Sequence, residues 1–180
     1  MKKFFVVALA IGLLTSMYGA SFGLGLAYNI NHPPLQTGYF AGTEDFSYPA
    51  IVADFRFPLL GPFINARMGL VEYNMISDDD GGSDYHFGTG VYGDLCLSVP
   101  MLGMITPYIP IGVFYDGNGG STLNLKGGLG GEMGIGGFLG YLEGGVKWVK
   151  VDWDVMEESE SDTYFYVQGG IRVPFGFGFF

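Results

Sequence analysis

The C-terminal stretch of this chain alternates with a period of two. Phe165, Val167, Gly169, Ile171, Val173, Phe175, Phe177 and Phe179 share one parity, and Tyr166, Gln168, Gly170, Arg172, Pro174, Gly176 and Gly178 share the other. A two-residue period with one apolar side describes a β-strand, because successive side chains of a strand point to opposite faces. The run is longer than the ~9–11 residues a tilted strand needs to cross a bilayer.

The rest of the chain follows the same rule. Phe22, Leu24, Leu26, Tyr28 and Ile30 alternate with Ser21, Gly23, Gly25, Ala27 and Asn29 in a first strand. A second sets Ile51, Ala53, Phe55 and Phe57 against Val52, Asp54 and Arg56, and a third sets Ile64, Ala66, Met68 and Leu70 against Asn65, Arg67 and Gly69. Further strands are expected around residues 87–99, 109–115, 123–133 and 142–148, which makes eight with the last. The connections differ by side. Those near residues 58–62, 100–104 and 134–138 are short, apolar and Gly-centred, whereas those near residues 32–48, 77–84, 116–121 and 154–162 are longer and polar. Short turns at one end and long loops at the other is the layout of an outer-membrane barrel.

Composition excludes the main competitors. Charged residues are 14%, too few for a disordered chain. The 32 glycines would cost a helical protein heavily. The best candidate for a transmembrane helix beyond the N-terminal segment, residues 101–115, carries no charge but contains Pro107 and Pro110 and is short of the ~20 residues required. A secreted β-sandwich also alternates, but its outer faces meet water and carry polar residues. Here one parity is aliphatic and aromatic while the other is mostly Gly, Ala and Ser with a few charges, which suits a narrow side-chain-filled barrel. The expected fold is therefore all-β: a closed, antiparallel, eight-stranded up-and-down transmembrane barrel. Pro110 is expected to sit at a bulge near the short-turn end of the fifth strand, since a closed barrel has no edge to hide its missing donor.

The N-terminus reads as a targeting signal. Lys2 and Lys3 precede an uncharged apolar run and the small-residue segment Thr15-Ser16-Met17-Tyr18-Gly19-Ala20. Residues 1–20 are expected to be a cleaved signal peptide and residues 21–180 the barrel domain, delivered to a bacterial outer membrane.

The mature chain resembles the superfamily of small outer-membrane barrels, which includes the membrane domain of outer membrane protein A and the related outer membrane protein X. The most specific part of the resemblance is Gly170-Ile171-Arg172-Val173-Pro174-Phe175-Gly176-Phe177-Gly178-Phe179-Phe180. Members end in a strand of alternating apolar residues that closes on an aromatic. The resemblance implies that Phe175, Phe177, Phe179 and Phe180 form the signal read by the outer-membrane insertion machinery. The alternation itself ends on Phe179, with Phe180 one residue beyond it.

Charge divides between the inside and one end. Arg56, Arg67, Lys126, Lys147 and Arg172 take the inward parity, as do Asp54, Asp94, Glu132 and Glu143. An Arg or Lys facing lipid at mid-bilayer costs ~2–4 kcal/mol, so the inward register is selected. These nine residues are expected to form a paired lumen network, with Arg172 on the neighbouring strand as the partner of Glu143. Glu72 takes the outward parity of the third strand and is expected to stand above the lipid. The remaining acids cluster in the long loops, among them Asp78, Asp79, Asp80 and Asp84. Such a face repels nucleic acid and attracts divalent cations, although the loop lacks the EF-hand spacing.

No motif points to catalysis or a cofactor. Cys96 stands alone and reads as a small buried filler, and the Gly-rich residues 127–137 lack a phosphate-loop pattern. His86 lies near Ser83 and Asp84, but its inward parity opposes a lipid-facing triad. The expected role is a monomeric structural or surface-interaction barrel that contacts outer-membrane lipids. The alternatives are a narrow passive channel for small solutes or cations, and a lipid-modifying enzyme. Deleting residues 177–180 should block assembly while export continues; abundant heat-modifiable, folded protein in the outer membrane of the deletion strain would refute the insertion-signal reading.

Overall fold

A strand with one apolar face and one polar face leaves two open edges wherever its sheet stops, and closing the sheet on itself removes both. The computed structural model describes residues 19–32, 46–60, 62–77, 85–99, 104–116, 124–153 and 158–175. Its strands are β1 (Ala20–His32), β2 (Phe46–Leu60), β3 (Ile64–Ser77), β4 (Tyr85–Ser98), β5 (Ile105–Asp116), β6 (Asn124–Ile135), β7 (Phe138–Trp153) and β8 (Glu158–Phe175). Each pairs antiparallel with the next in sequence, and β8 pairs with β1, so the sheet is a closed eight-stranded meander. The closing ladder runs unbroken from Ala20 opposite Phe175 to Ile30 opposite Phe165.

The expected signal segment lies outside the described residues except at Gly19 and Ala20, and Ala20 already opens β1. Phe177, Phe179, Phe180 and the acidic residues 78–84 also lie outside them. β8 begins at Glu158, so Glu158, Glu160 and Asp162, expected in a loop, belong to a strand.

Alternation sorts the side chains as parity demands, with the outside apolar. Leu26, Leu129 and Leu142 are 65%, 69% and 65% exposed, while Arg67 and Arg172 are 1% and 0% exposed. Short hairpins close one end. The backbone N–H of Phe63 donates to the carbonyl of Leu60 at 3.2 Å, and Gly136 takes φ 61° between the paired residues Ile135 and Phe138. That left-handed conformation favours glycine at the first central position of a two-residue hairpin.

Two expectations about register are corrected. Glu72 faces inward and is buried. The cause is a β-bulge in β3: Gly69 lies opposite Asp54 and Val71 opposite Ala53, which leaves Leu70 as an extra residue. Leu70 and Val71 both point outward, so parity reverses beyond them and Glu72 and Asn74 turn inside. Pro110 does not sit at a bulge. It lies opposite Cys96 in an unshifted β4–β5 ladder and points inward, and β5 starts at Ile105, earlier than expected. Its missing N–H is absorbed on the other side, where the β5–β6 pairing passes from Tyr108 opposite Gly130 to Ile111 opposite Gly127, with the same register on both sides of the gap.

Glycine makes room for tyrosine inside. Tyr92 lies opposite Gly69, Tyr108 opposite Gly130, Tyr166 opposite Gly145 and Tyr141 opposite Gly170. A Cβ at Gly69 would enter the Tyr92 ring, one at Gly130 the Tyr108 ring, and one at Gly145 would lie 2.9 Å from Cε1 of Tyr166. The rings of Tyr92, Tyr108 and Tyr166 thus cover the bare backbone of their cross-strand neighbours, a pairing that pins register. In a urea titration of the folded barrel, Gly69→Val and Gly130→Val should each cost ~1–3 kcal/mol by overpacking. Gly93→Val, where an added Cβ meets nothing within 4 Å, should cost far less. Equal losses at all three sites would contradict the packing argument.

Candidate functional site

The barrel's alternation sends every second side chain of eight strands into one narrow interior. Asp54 and Arg56 come from β2, Arg67 and Glu72 from β3, Asp94 from β4, Lys126 and Glu132 from β6, Glu143 and Lys147 from β7, and Arg172 from β8. None of these ten residues is more than 8% exposed. Removing a charge from water costs several kcal/mol, so such groups persist only when paired and hydrogen-bonded.

Arg67 is the centre of the first cluster. Its Nη1 donates to Oε2 of Glu143 at 2.6 Å, its Nη2 to Oε1 at 3.0 Å, and its Nε to Oδ2 of Asp94 at 3.0 Å. Nη2 also bonds Oδ2 of Asp94. Two carboxylates from different strands therefore share one planar fork, the geometry that guanidinium suits best. Glu143 accepts further bonds from the Tyr166 hydroxyl at 2.8 Å, the Tyr108 hydroxyl at 2.9 Å and the Gln168 amide at 3.2 Å. The Lys126 ammonium lies 3.3 Å from Asp94 and 3.6 Å from Glu143.

Arg172 organises a second cluster. Its Nη2 meets Asp54 at 2.8 Å and its Nη1 meets Glu132 at 2.5 Å. Arg56 reaches the same Glu132 oxygen at 2.5 Å and donates to the Ser98 hydroxyl at 2.9 Å. The Tyr92 hydroxyl donates to Asp54 at 3.3 Å. A third, smaller group joins Lys147 to Glu72 at 2.6 Å, with Asn29 accepting from Lys147 at 3.2 Å and donating to Glu72 at 3.3 Å.

Aromatic faces occupy the remaining sides of the cations. Lys126 Nζ lies 3.9 Å from the Tyr92 ring centroid and 4.8 Å from that of Tyr166, and the Arg172 guanidinium lies 3.8 Å from the centroid of Tyr141. Such contacts are worth ~0.5–2 kcal/mol each when shielded from water. Towards the long-loop end, Tyr92, Phe114, Val149 and Tyr164 form an apolar layer, with Phe114 and Tyr164 edge-to-face at 6.3 Å.

The nine charged residues picked from the sequence all lie inside, but their partners differ in one respect. Glu143 is bonded to Arg67, and Arg172 to Asp54 and Glu132. The ladder explains it: the β8 residue opposite Glu143 is Gln168, while Arg172 stands opposite Leu139, four residues nearer the short turns. Sequence reasoning missed Glu72, hidden by the bulge, and the hydroxyl and amide donors Tyr108, Tyr166 and Gln168. The available signal for Glu72 was Leu70-Val71, two consecutive large aliphatics that a strand with one apolar face cannot place without a bulge. Elsewhere, Cys96 is buried with no disulfide partner, and Phe175 is exposed on the outer face. Among the described residues, no group of three or more His, Cys, Asp or Glu is placed to hold a metal ion. His86 falls in β4 opposite Ile76.

With Glu72 included, these interior charges number five of each sign: Arg56, Arg67, Lys126, Lys147 and Arg172 against Asp54, Glu72, Asp94, Glu132 and Glu143. The arrangement is suited to bracing strands that are not neighbours, since Arg67 ties β3 to β7 and Arg172 ties β8 to β2 and β6. No family model matches the chain, and no curated protein matches it.

Removing Arg67 or Glu143 alone should cost ~3–5 kcal/mol, because the other charge is left buried and uncompensated. Arg67→Ala with Glu143→Ala should cost clearly less than the two singles added, whereas Arg172→Ala with Glu143→Ala, drawn from different clusters, should come close to additivity. Unfolding titrations of the three single and two double variants test this, and strict additivity of the Arg67–Glu143 cycle would refute the assignment.

Proposed function

We propose that this chain is a small integral outer-membrane barrel with a structural or surface-interaction role, its interior closed by the charge network. One observation carries the reading: the polarity is inverted. The outer face is aliphatic and aromatic, and the interior is charged. In water such a barrel would expose a continuous apolar surface far beyond the few hundred Å² a soluble monomer tolerates. In lipid both faces are satisfied, because the sheet has no open edge and its charges are paired.

The distribution of aromatics supports the same conclusion. Tyr28, Tyr73, Tyr115, Trp148 and Phe165 mark the outer face towards the long loops, and Phe63, Phe138 and Phe175 mark it towards the short turns. Aliphatic residues such as Leu26, Met68, Ile111, Leu129 and Val167 lie between. Along β8 the two bands are separated by the run from Phe165 to Phe175, which at ~3.3 Å per residue and a tilt near ~40° spans about 25 Å, the height of the apolar band of an outer-membrane barrel. Among the described residues, an equal number of positive and negative charges inside also favours a closed interior over an ion-selective path, which uses a ring of one sign. Export by residues 1–20 and reading of Phe175, Phe177, Phe179 and Phe180 by the insertion machinery complete the proposal. The acidic long loops then face outward as the surface for contacts, including divalent cations.

Expressed in a double-membraned bacterium, the protein should fractionate with the outer membrane, resist extraction by urea, and migrate faster unboiled than boiled. The purified barrel should give no ion-selective steps in planar bilayers. Recovery as a soluble periplasmic protein would overturn the membrane assignment, and a selective conductance would overturn the closed interior.

A further inference from the structure

The short-turn end of the barrel is as apolar as its wall. Leu60, Phe63, Met104, Ile135 and Phe138 are 64%, 55%, 81%, 55% and 50% exposed. The three turn segments at this end, residues 58–64, 99–105 and 133–140, contain no Asp, Glu, Lys or Arg, and neither do the last residues, 173–180. The nearest charges, Arg56, Glu132 and Arg172, are buried inside and bonded to one another. The opposite end carries the acidic loops. A turn that stands in water gains nothing from this composition, since exposed turns draw on Gly, Asn, Asp and Ser for local hydrogen bonds.

We propose that the short turns are a lipid-contacting surface: the barrel ends within the inner-leaflet interface of the outer membrane, and its turns rest among phospholipid headgroups and upper acyl chains instead of projecting into the periplasm. The inference rests on the membrane reading above and sets the barrel's depth within it. The position of the aromatics supplies the argument. On the wall of a barrel the aromatic band marks the headgroup level. Here two members of that band stand at the turns, Phe63 within one and Phe138 as the first residue of β7 directly after another, so the interface lies at the turns and not above them. The apolar rim is also continuous with the wall: Ile135 and Phe138 close β6 and β7 directly below Met133 and Leu142. A lipid occupant fits a rim that has apolar side chains and no charge to recognise a protein partner.

The test uses the folded barrel in vesicles of phosphatidylethanolamine and phosphatidylglycerol. An environment-sensitive fluorophore is attached at F63C, at F138C and, as a mid-wall control, at L129C; Cys96 is buried, and the unsubstituted protein checks that it stays unlabelled. Probes at Phe63 and Phe138 should be quenched strongly by a nitroxide carried near the lipid headgroup and weakly by aqueous iodide. The probe at Leu129 should respond to a nitroxide deep in the acyl chain. Strong iodide quenching at the turns with normal behaviour at Leu129 would overturn the proposed depth while sparing the membrane reading. Loss of deep quenching at Leu129 would overturn both. Protection from iodide without nitroxide quenching, together with turn-to-turn crosslinking of F63C, would mean that a second copy covers the rim and would also overturn it. An independent arm is F63D/F138D: assembly into vesicles should fall several-fold if the turns meet lipid, and unchanged assembly would count against the proposal.

Discussion

One guanidinium holds carboxylates from two separate parts of the sheet, and the interior is arranged around it. Arg67 reaches from β3 to Glu143 on β7 while binding Asp94 on the adjacent β4. Its charge has no alternative place, because the outer face of the same strand carries Met68 and Leu70. Once Arg67 is inside, the rest follows from the cost of unpaired buried charge. Glu143 must be aimed at it, Tyr108 and Tyr166 fill the lone pairs left on Glu143, and Lys126 offsets the second acid. Burying ten charges is an expensive way to fill a cavity, and apolar residues of similar volume would often do as well energetically. What the charges add is discrimination between inside and outside, since a strand slipped by one residue would present them to the wrong face.

Much of the barrel was legible in the sequence because the period of a strand is rigid. The faces of β1, β2, β7 and β8 can be read residue by residue, and the nine charges on the inward parity were identified without any structure. The failures have specific physical causes. Glu72 was misplaced because one inserted residue reverses parity, and strict alternation has no means of marking where it stops. Pro110 was assigned a bulge because its missing donor seemed to require one, whereas a short break in pairing with the glycine-rich β6 suffices. The partner of Glu143 was sought on the neighbouring strand. A narrow barrel brings opposite walls within reach of an arginine side chain, and that proximity leaves no trace in sequence spacing.

The tyrosines show a further layer that composition hides. Thirty-two glycines read at first as a penalty on helix formation. In the fold, Gly69, Gly130 and Gly145 are the floor beneath three rings whose hydroxyls or faces serve the charge network. Tyr92 covers Gly69, faces Lys126 and donates to Asp54, so a single side chain joins sheet register to electrostatics. Packing and pairing inside this barrel are therefore one problem and not two.

The bulge at Leu70 divides β3 into two stretches that obey opposite rules. From Ile64 to Gly69, odd-numbered residues face inward; from Glu72 onward, even-numbered residues do. The strand therefore has a phase as well as a sequence, and the phase is set by a single residue whose side chain carries no charge and no hydrogen-bonding group. A strand that paired Leu70 in strict alternation would keep every amino acid of the loop-side half chemically intact and yet send Glu72 and Asn74 to the outside, stranding Lys147, whereas a strand without Leu70 would keep both inside with no bulge at all. How the ladder accommodates this one residue is as much a determinant of the interior as the identity of any group in it.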